Sequence, residues 1–178
     1  MHVRIEELLR YLDSTRADLR RAVEEVPAAQ RRVRPAEDRW SVAEVLEHLA
    51  LVEPRITEVV AARLAAAREA GLGAETATGS VLDPAVLERL RDRGRPVTAS
   101  ETVRPPGVRD AGAALAGLEA ARAVLRDVVV SADGLALGEV VLPHPVLGPL
   151  DLYGWIVFIG GHEARHTAQI REIGGAGG

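Results

Sequence analysis

The chain has 178 residues, of which 47% are apolar and 27% charged, a composition typical of one globular domain and not of a disordered chain. Its net charge of −4, with the arginines spread among acids, offers no basic surface for nucleic acid. The absence of cysteine excludes disulfides, thiolate metal ligands and a protein thiol as nucleophile. We therefore expect one domain over residues 1–178 and no nucleic-acid partner.

The N-terminal stretch MHVRIEELLRYL is charged and amphipathic, and it lacks the apolar core of a signal peptide. No apolar run approaches the length of about 18 residues that a membrane-spanning helix needs. These two observations predict a cytoplasmic protein with no membrane partner.

Two long amphipathic helices are predicted in the first half of the chain. Apolar residues keep helical spacing over about residues 3–26. The second helix is expected to start at Ser41, because Ser41 followed by Glu44 is the pattern of a capping box, and to end at Gly71 and Gly73. His48 falls on the apolar stripe of this helix and is predicted to face inward.

The middle of the chain, Gly71 to Asp110, is predicted to be a long connection that contains one short helix. Asp83 as N-cap and Pro84 in the first turn mark the start of that helix. Connections of this length in a compact domain are usually functional or disordered. A third long helix is predicted to follow, from about Asp110 to Val130.

The last third of the chain is predicted to hold an extended linker and a final helix. Prolines exclude a helix interior between Gly134 and Leu150, and Asp151 is positioned to cap the helix that follows. Residues 174–178 are expected to form a flexible glycine-rich tail. Four long amphipathic helices and two long connections predict an all-α four-helix bundle with long crossover connections.

The final helix carries a pair of histidines on its apolar face. Six residues share one narrow arc of a 3.6-residue helix: Trp155, Ile159, His162, His166, Gln169 and Ile173. Histidines four residues apart can direct their ring nitrogens at a common centre, so the pair predicts two ligands of one metal ion. The alternative is that both are core histidines with ordinary hydrogen-bond partners.

The same residues, HEARH, match the H-E-x-x-H pattern of zinc peptidases, in which the glutamate, here Glu163, is the general base. Three features weaken this interpretation. Only residues 167–178 remain to supply a third ligand, and Glu172 would be poorly placed on the same helix. Arg165 stands where the motif is normally uncharged, and no substrate-binding edge strand is apparent upstream.

A third ligand from another helix explains the pattern better. His48 is the other histidine on a helical apolar stripe, whereas His2 lies near the terminus and His144 in a proline-rich loop. Three neutral imidazoles with one position left for water or substrate make an open, catalytic type of site. An all-nitrogen ligand set suits Zn, Ni or Fe.

Three motifs resemble the DinB/YfiT-like superfamily of bacterial metal-binding four-helix bundles. They are WSVAEVLEHLALVE (Trp40 to Glu53), HPVLG (His144 to Gly148) and HEARHTAQI (His162 to Ile170). The resemblance implies that His48, His162 and His166 hold the metal. It also implies a homodimer and a thiol-dependent S-transferase, isomerase or hydrolase that acts on a small molecule.

Two hypotheses about function follow. In the first, the chain is a metal-dependent transferase or hydrolase in which the metal lowers the pKa of a low-molecular-weight thiol or of water for attack on a small electrophile. In the second, it is a non-catalytic, stress-associated dimer that binds a metal or ligand. His144 either lines the substrate pocket or braces the last helix. Glu163 is expected beside the pocket or in solvent, and alanine-rich patches such as Ala61 to Ala67 are expected to form the dimer contact.

Overall fold

The computed structural model describes residues 1–92, 94, 100–145 and 147–175. Its helices are α1 (Val3–Glu24), α2 (Val42–Glu69), α3 (Pro84–Arg91), α4 (Ala111–Ser131) and α5 (Leu152–Gly175), and its strands are β1 (Val141–His144) and β2 (Gly148–Asp151). The helices α1, α2, α4 and α5 form a four-helix bundle, as predicted, and α3 lies against α5. Within the bundle α1 packs chiefly against α5, and α2 against α4.

The predicted helix starts are confirmed by their capping hydrogen bonds. The Ser41 hydroxyl accepts from the backbone N–H of Glu44, and the Glu44 carboxylate accepts from the backbone N–H of Ser41 at 2.8 Å. Asp83 and Asp151 each accept a backbone N–H of the first turn of α3 and α5, respectively. The capping box fixes the first turn of α2 at Val42 and so sets the turn on which His48 lies.

The two long apolar regions of the core show how the helices run. One region joins residues 5–12 of α1, 56–64 of α2, 125–129 of α4 and 152–159 of α5, and the other joins residues 19–23, 42–49, 111–118 and 170–173 of the same helices. The first halves of α1 and α5 therefore meet the second halves of α2 and α4. The pair α1/α5 runs in one direction and the pair α2/α4 in the other.

This arrangement explains the long middle connection. Because α2 and α4 run the same way, the chain must return along the bundle before α4 can begin. The 21 residues of α4 span about 32 Å, so a short turn cannot make the return. The predicted helix at Asp83 and Pro84 is present as α3 on this path, whereas residues 93 and 95–99 lie outside the described part.

The linker before the last helix is extended, as predicted, but it also forms a hairpin. Strand β1 pairs with β2 in an antiparallel register that places Pro143 opposite Pro149 and His144 opposite Gly148. Two prolines argue against strand pairing, because neither can donate a ladder hydrogen bond, but a two-stranded ribbon tolerates them at its edges. Gly148 has φ +81°, a conformation that favours glycine, and allows the turn.

The glycine-rich end departs in part from its prediction. Gly174 and Gly175 continue α5 and do not belong to a flexible tail; residues 176–178 lie outside the described part. A Cβ atom at Gly174 would lie 3.1 Å from the side chain of Val26, so the backbone of α5 lies directly against the residues that follow α1. The last turn of α5 is therefore packed against the segment that follows α1.

Among the residues that the structure describes, none of the helices combines the length and the apolar character that a membrane crossing requires.

Two adjacent glycines allow other elements to approach α5 closely. A Cβ atom at Gly160 would lie within 3.0 Å of two ring atoms of Tyr11, and one at Gly161 would lie 2.9 Å from Cβ of Leu90. Tyr11 belongs to α1 and Leu90 to α3. The glycine pair therefore sets how near both helices lie to the helix that carries the histidine pair.

We expect Gly160→Ala to destabilise the protein by about 1–3 kcal/mol, because the new methyl group would lie within 3.0 Å of a ring carbon of Tyr11 and the rigid ring would have to shift as a whole. Urea unfolding measures this loss. The control is Gly117→Ala in α4, where the new methyl group meets only the flexible end of Arg109, and where alanine favours the helix by up to about 1 kcal/mol. Equal unfolding midpoints for wild type and Gly160→Ala would contradict the close contact.

Candidate metal centre

Three imidazoles from two helices meet between α2 and α5. Nε2 of His162 lies 3.3 Å from Nε2 of His48 and 3.2 Å from Nε2 of His166. One ring nitrogen from each residue falls within 4.8 Å of the other two, so this set, here called the triad, could hold a metal ion. The predicted inward face of His48 and the predicted pairing of His162 with His166 are both present.

Hydrogen bonds on the outer side of two rings fix which nitrogen faces the centre. Nδ1–H of His48 donates to the carbonyl of Val103 at 2.8 Å, and Nδ1–H of His166 donates to Oε1 of Gln169 at 2.8 Å. Because a carbonyl oxygen only accepts, Nδ1 carries the proton in both neutral rings, and the Nε2 lone pair points inward. This is the outer support that metal-binding histidines usually have.

A bound cation would satisfy the three inward nitrogens better than hydrogen bonds among them can. A proton on Nε2 of His162 can be donated to only one of the two neighbouring Nε2 atoms, so hydrogen bonds among the three inward nitrogens cannot satisfy all of them. Tetrahedral ligands about 2.0–2.1 Å from one ion are about 3.3–3.4 Å apart, close to the two separations measured from Nε2 of His162. The donor set and its spacing therefore fit a divalent ion with a fourth position open.

Aromatic rings surround the triad although the chain has only five aromatic residues. The ring of Trp40 lies 5.0 Å from that of His48, and the ring of Phe158 stacks on that of His162 at 5.5 Å. Burial, together with the neighbouring rings of His166 and His48, holds the pKa of His162 well below its usual value. Burial also lowers the pKa of His48. Neutral imidazoles are the form that binds a metal.

His144 does not join the triad but lies one ring away from it. The centroid of its ring lies 4.4 Å from that of Phe158 and 4.8 Å from that of Trp155. Its Nδ1 accepts a hydrogen bond from the backbone N–H of Leu147. These contacts hold the hairpin against α5, which agrees with a bracing role. They also place His144 beside the ring that stacks on His162, so the pocket interpretation stays a prediction.

Comparison with known proteins identifies the family of the chain. The family model of the DinB superfamily matches residues 11–170, a range that includes all three triad histidines. The chain belongs to the DinB superfamily.

Two relatives show how far the similarity extends. The uncharacterized protein YuaE of Bacillus subtilis (strain 168) is 29% identical over 141 residues, which are 79% of this chain and 80% of YuaE. The crystal structure of TT2238, described as a four-helix bundle protein, is similar with a TM-score of 0.57 at 25% identity and covers 94% of this chain and 98% of that one. The DinB-superfamily identity and the bundle fold expected from the sequence are thus confirmed.

Glu163 of this DinB-superfamily chain is not where the sequence suggested. It is buried on another side of α5, where its carboxylate accepts from Thr15 at 2.7 Å and pairs with Arg16 at 2.6 Å and Arg122 at 3.0 Å. The expectation that Glu163 borders the pocket or solvent is wrong, because residues 162 and 163 differ by about 100° around the helix. A carboxylate held by two guanidinium groups is also not placed as the base of a zinc peptidase.

Glu44, which precedes His48 by one turn, is a capping residue, as expected. Besides the bonds to Ser41, its carboxylate is paired with Arg34. Burial by itself would raise the pKa of Glu44, but the Arg34 guanidinium and the cap hydrogen bonds hold it below its usual value. The carboxylate is therefore occupied at the start of α2 and does not serve the triad as a base.

Proposed function

We propose that this chain is a divalent-metal-dependent enzyme for a small electrophilic substrate, either an S-transferase that uses a low-molecular-weight thiol or a hydrolase that uses water. The observation that carries the proposal is the convergence of three Nε2 atoms, two of them fixed by outer hydrogen bonds. Three protein ligands leave a position for a nucleophile, as in catalytic rather than structural metal sites. When bound, the ion would lower the pKa of a thiol or water at that position.

The residues of the chain supply the rest of the proposed chemistry. Burial lowers the pKa of His48 and of His162 and so favours their neutral form, and Val103 and Gln169 hold the rings of His48 and His166 in the required tautomer. Trp40 packs against the imidazole of His48, and Phe158 stacks on that of His162, so both supply apolar surface beside the ligand position. The sequence contains no cysteine, so a thiol nucleophile has to come from a small molecule.

The test is turnover by protein loaded with Zn²⁺, Ni²⁺ or Fe²⁺. One series offers an aryl halide with several low-molecular-weight thiols, and a second offers aryl esters without thiol. We expect one series to show a rate that depends on protein and metal and is lost in His48→Ala. Metal binding without turnover in either series would instead support the second hypothesis, a non-catalytic metal-binding bundle.

We also propose that the chain forms a homodimer through the exposed faces of α2 and α4. Val124 of α4 is 58% exposed and Val59 of α2 is 40% exposed. Val124 and Ala61 border one groove between these helices. The lining of this groove is mostly apolar, and contiguous exposed apolar surface is typical of a contact surface.

For this dimer we expect light scattering to give twice the chain mass of 19.0 kDa at micromolar concentration. Val124→Arg should give the monomer mass without loss of the fold, because a charge cannot be buried unpaired in the contact. Val141→Arg, at an equally exposed valine on the hairpin, is the control. A monomer for the wild type would refute the proposal.

A further inference from the structure

Four charged side chains are buried at the same level of the bundle, one from each helix. They are Arg16 of α1, Glu53 of α2, Arg122 of α4 and Glu163 of α5, and each residue is at most 5% exposed. This set, the charged tetrad, lies between the two apolar regions of the core. It contains two positive and two negative groups.

Each arginine of the tetrad bridges both glutamates. Arg16 binds Glu163 through Nε at 2.6 Å and Glu53 through a terminal nitrogen at 2.9 Å. Arg122 binds Glu53 through Nε at 2.6 Å and Glu163 through a terminal nitrogen at 3.0 Å. Burial alone would lower the pKa of Arg122, but the carboxylates of Glu163 and Glu53 raise it above its usual value. The result is a closed ring of alternating charge.

Further hydrogen bonds fix the orientation of the guanidinium groups. Arg16 donates to the carbonyl of Leu118 in α4 at 3.0 Å, and Arg122 donates to the carbonyl of Leu12 in α1 at 2.6 Å. The two arginines therefore tie α1 and α4 to each other in both directions. A guanidinium that is planar and bonded on several edges has one position, unlike a lone ammonium.

The tetrad connects the same two helices that carry the triad. His48 and Glu53 lie on α2, whereas His162 and Glu163 lie on α5, and these helices belong to different pairs of the bundle. Two of the four bridges, Arg16 to Glu53 and Arg122 to Glu163, cross between the pairs. A rotation or slide of α2 against α5 would break them and move His48 away from His162.

A purely stabilising role explains the tetrad poorly. Removing four charges from water is costly, and buried ion pairs are often no more stabilising than apolar side chains of similar volume. The apolar regions on both sides of this layer show that the bundle can be filled with such side chains. What the ions add is a unique relative position of the helices, because only one register satisfies all of the hydrogen bonds.

We propose that Arg16 and Arg122, through Glu53 and Glu163, are positioning residues that hold α2 and α5 in the register at which the triad can bind a metal. The proposal rests on the metal binding proposed above. None of the four side chains is a triad member, and Arg122 stands on a helix that supplies no triad residue.

Arg122→Lys tests the proposal, because lysine keeps the charge but cannot bridge both glutamates with a planar fork. The control is Leu125→Ala, which removes a fully buried side chain one turn further along α4. Zn²⁺ affinity is measured by chelator competition, the Co²⁺ complex by its visible absorption, and each variant's stability by its Tm. We expect Arg122→Lys to bind Zn²⁺ at least about tenfold more weakly with an altered Co²⁺ spectrum, and Leu125→Ala to lower Tm without either change.

The outcomes separate the two proposals. If the wild type binds metal and Arg122→Lys binds it equally well, the positioning role is wrong while the metal centre stands. If Leu125→Ala weakens binding as much as Arg122→Lys, the tetrad only stabilises the fold. If the wild type binds neither ion, the metal centre fails and the positioning role fails with it. Should Arg122→Lys not fold, Glu53→Gln, which keeps the side-chain shape, is judged by the same measurements.

Discussion

His162→Ala is expected to abolish stoichiometric metal binding by the folded protein. Nε2 of His162 lies between the other two inward nitrogens, so its loss leaves His48 and His166 without the shared neighbour. Loss of a residue that only supports a metal ligand typically costs about 10–100-fold in affinity, and loss of a ligand should cost more. Elemental analysis of purified protein and chelator competition measure the effect.

The matched control is His2→Ala. His2 caps α1 by accepting the backbone N–H of Arg4, far from the triad in the sequence and on a different helix. We expect this variant to keep one metal ion per chain, with at most the loss of about 1 kcal/mol that a cap contributes. Full metal content in His162→Ala would show that the ion is bound at a site other than the triad.

Metal should stabilise the protein at neutral pH and lose this effect in mild acid. A ligand present at 100 times its Kd adds about 2.7 kcal/mol, which for a domain of this size corresponds to a rise in Tm of roughly 5–10 °C. Protons compete with the metal for the same Nε2 atoms, and an unperturbed imidazole has a pKa of about 6.5. The difference in Tm between metal-loaded and chelator-treated protein should therefore shrink as the pH falls through the pKa values of the folded, metal-free triad, which burial holds below 6.5 for His48 and His162.

The metal-free protein should also become less stable in acid. Burial lowers the pKa of His48, His144 and His162 in the folded state, so below about pH 6.5 the unfolded chain binds more protons than the folded one. The stability from these neutral rings is present above the unfolded pKa and is lost as the pH falls towards the lowered folded values. Thermal melts from pH 7.5 to about pH 4 with and without chelator measure both effects. A difference in Tm that stays constant over this range would rule out histidine ligation.

Local signals in the sequence were sufficient for the elements of the fold. Helical periodicity predicted the four long helices, and side-chain caps at Ser41, Asp83 and Asp151 predicted the starts of α2, α3 and α5, because a capping bond involves residues only two or three positions apart. The spacing of His162 and His166 placed both on one face for the same reason. The motifs around His48 and the later pair also gave the DinB superfamily, which the family match confirms.

Contacts between residues that are distant in the sequence could be predicted only in part. The β1/β2 hairpin was missed because its prolines, taken singly, argue against a strand. Each member of the tetrad interrupts the apolar stripe of its helix, as Arg16 does between Leu12 and Leu19, and this signal was present in the sequence. Four such interruptions with balanced charge point to a buried ion network, but a single one also fits a solvated side chain.

The sequence by itself determined which residues share a helix face and therefore that His162 and His166 could act together. Only the tertiary structure decided that His48 meets them and that Glu163 turns away to Arg16 and Arg122. The physical reason is that the angle of a side chain around its own helix follows from the 3.6-residue repeat. The rotation and height of one helix against another depend on packing and ion pairs between residues that are more than a hundred positions apart.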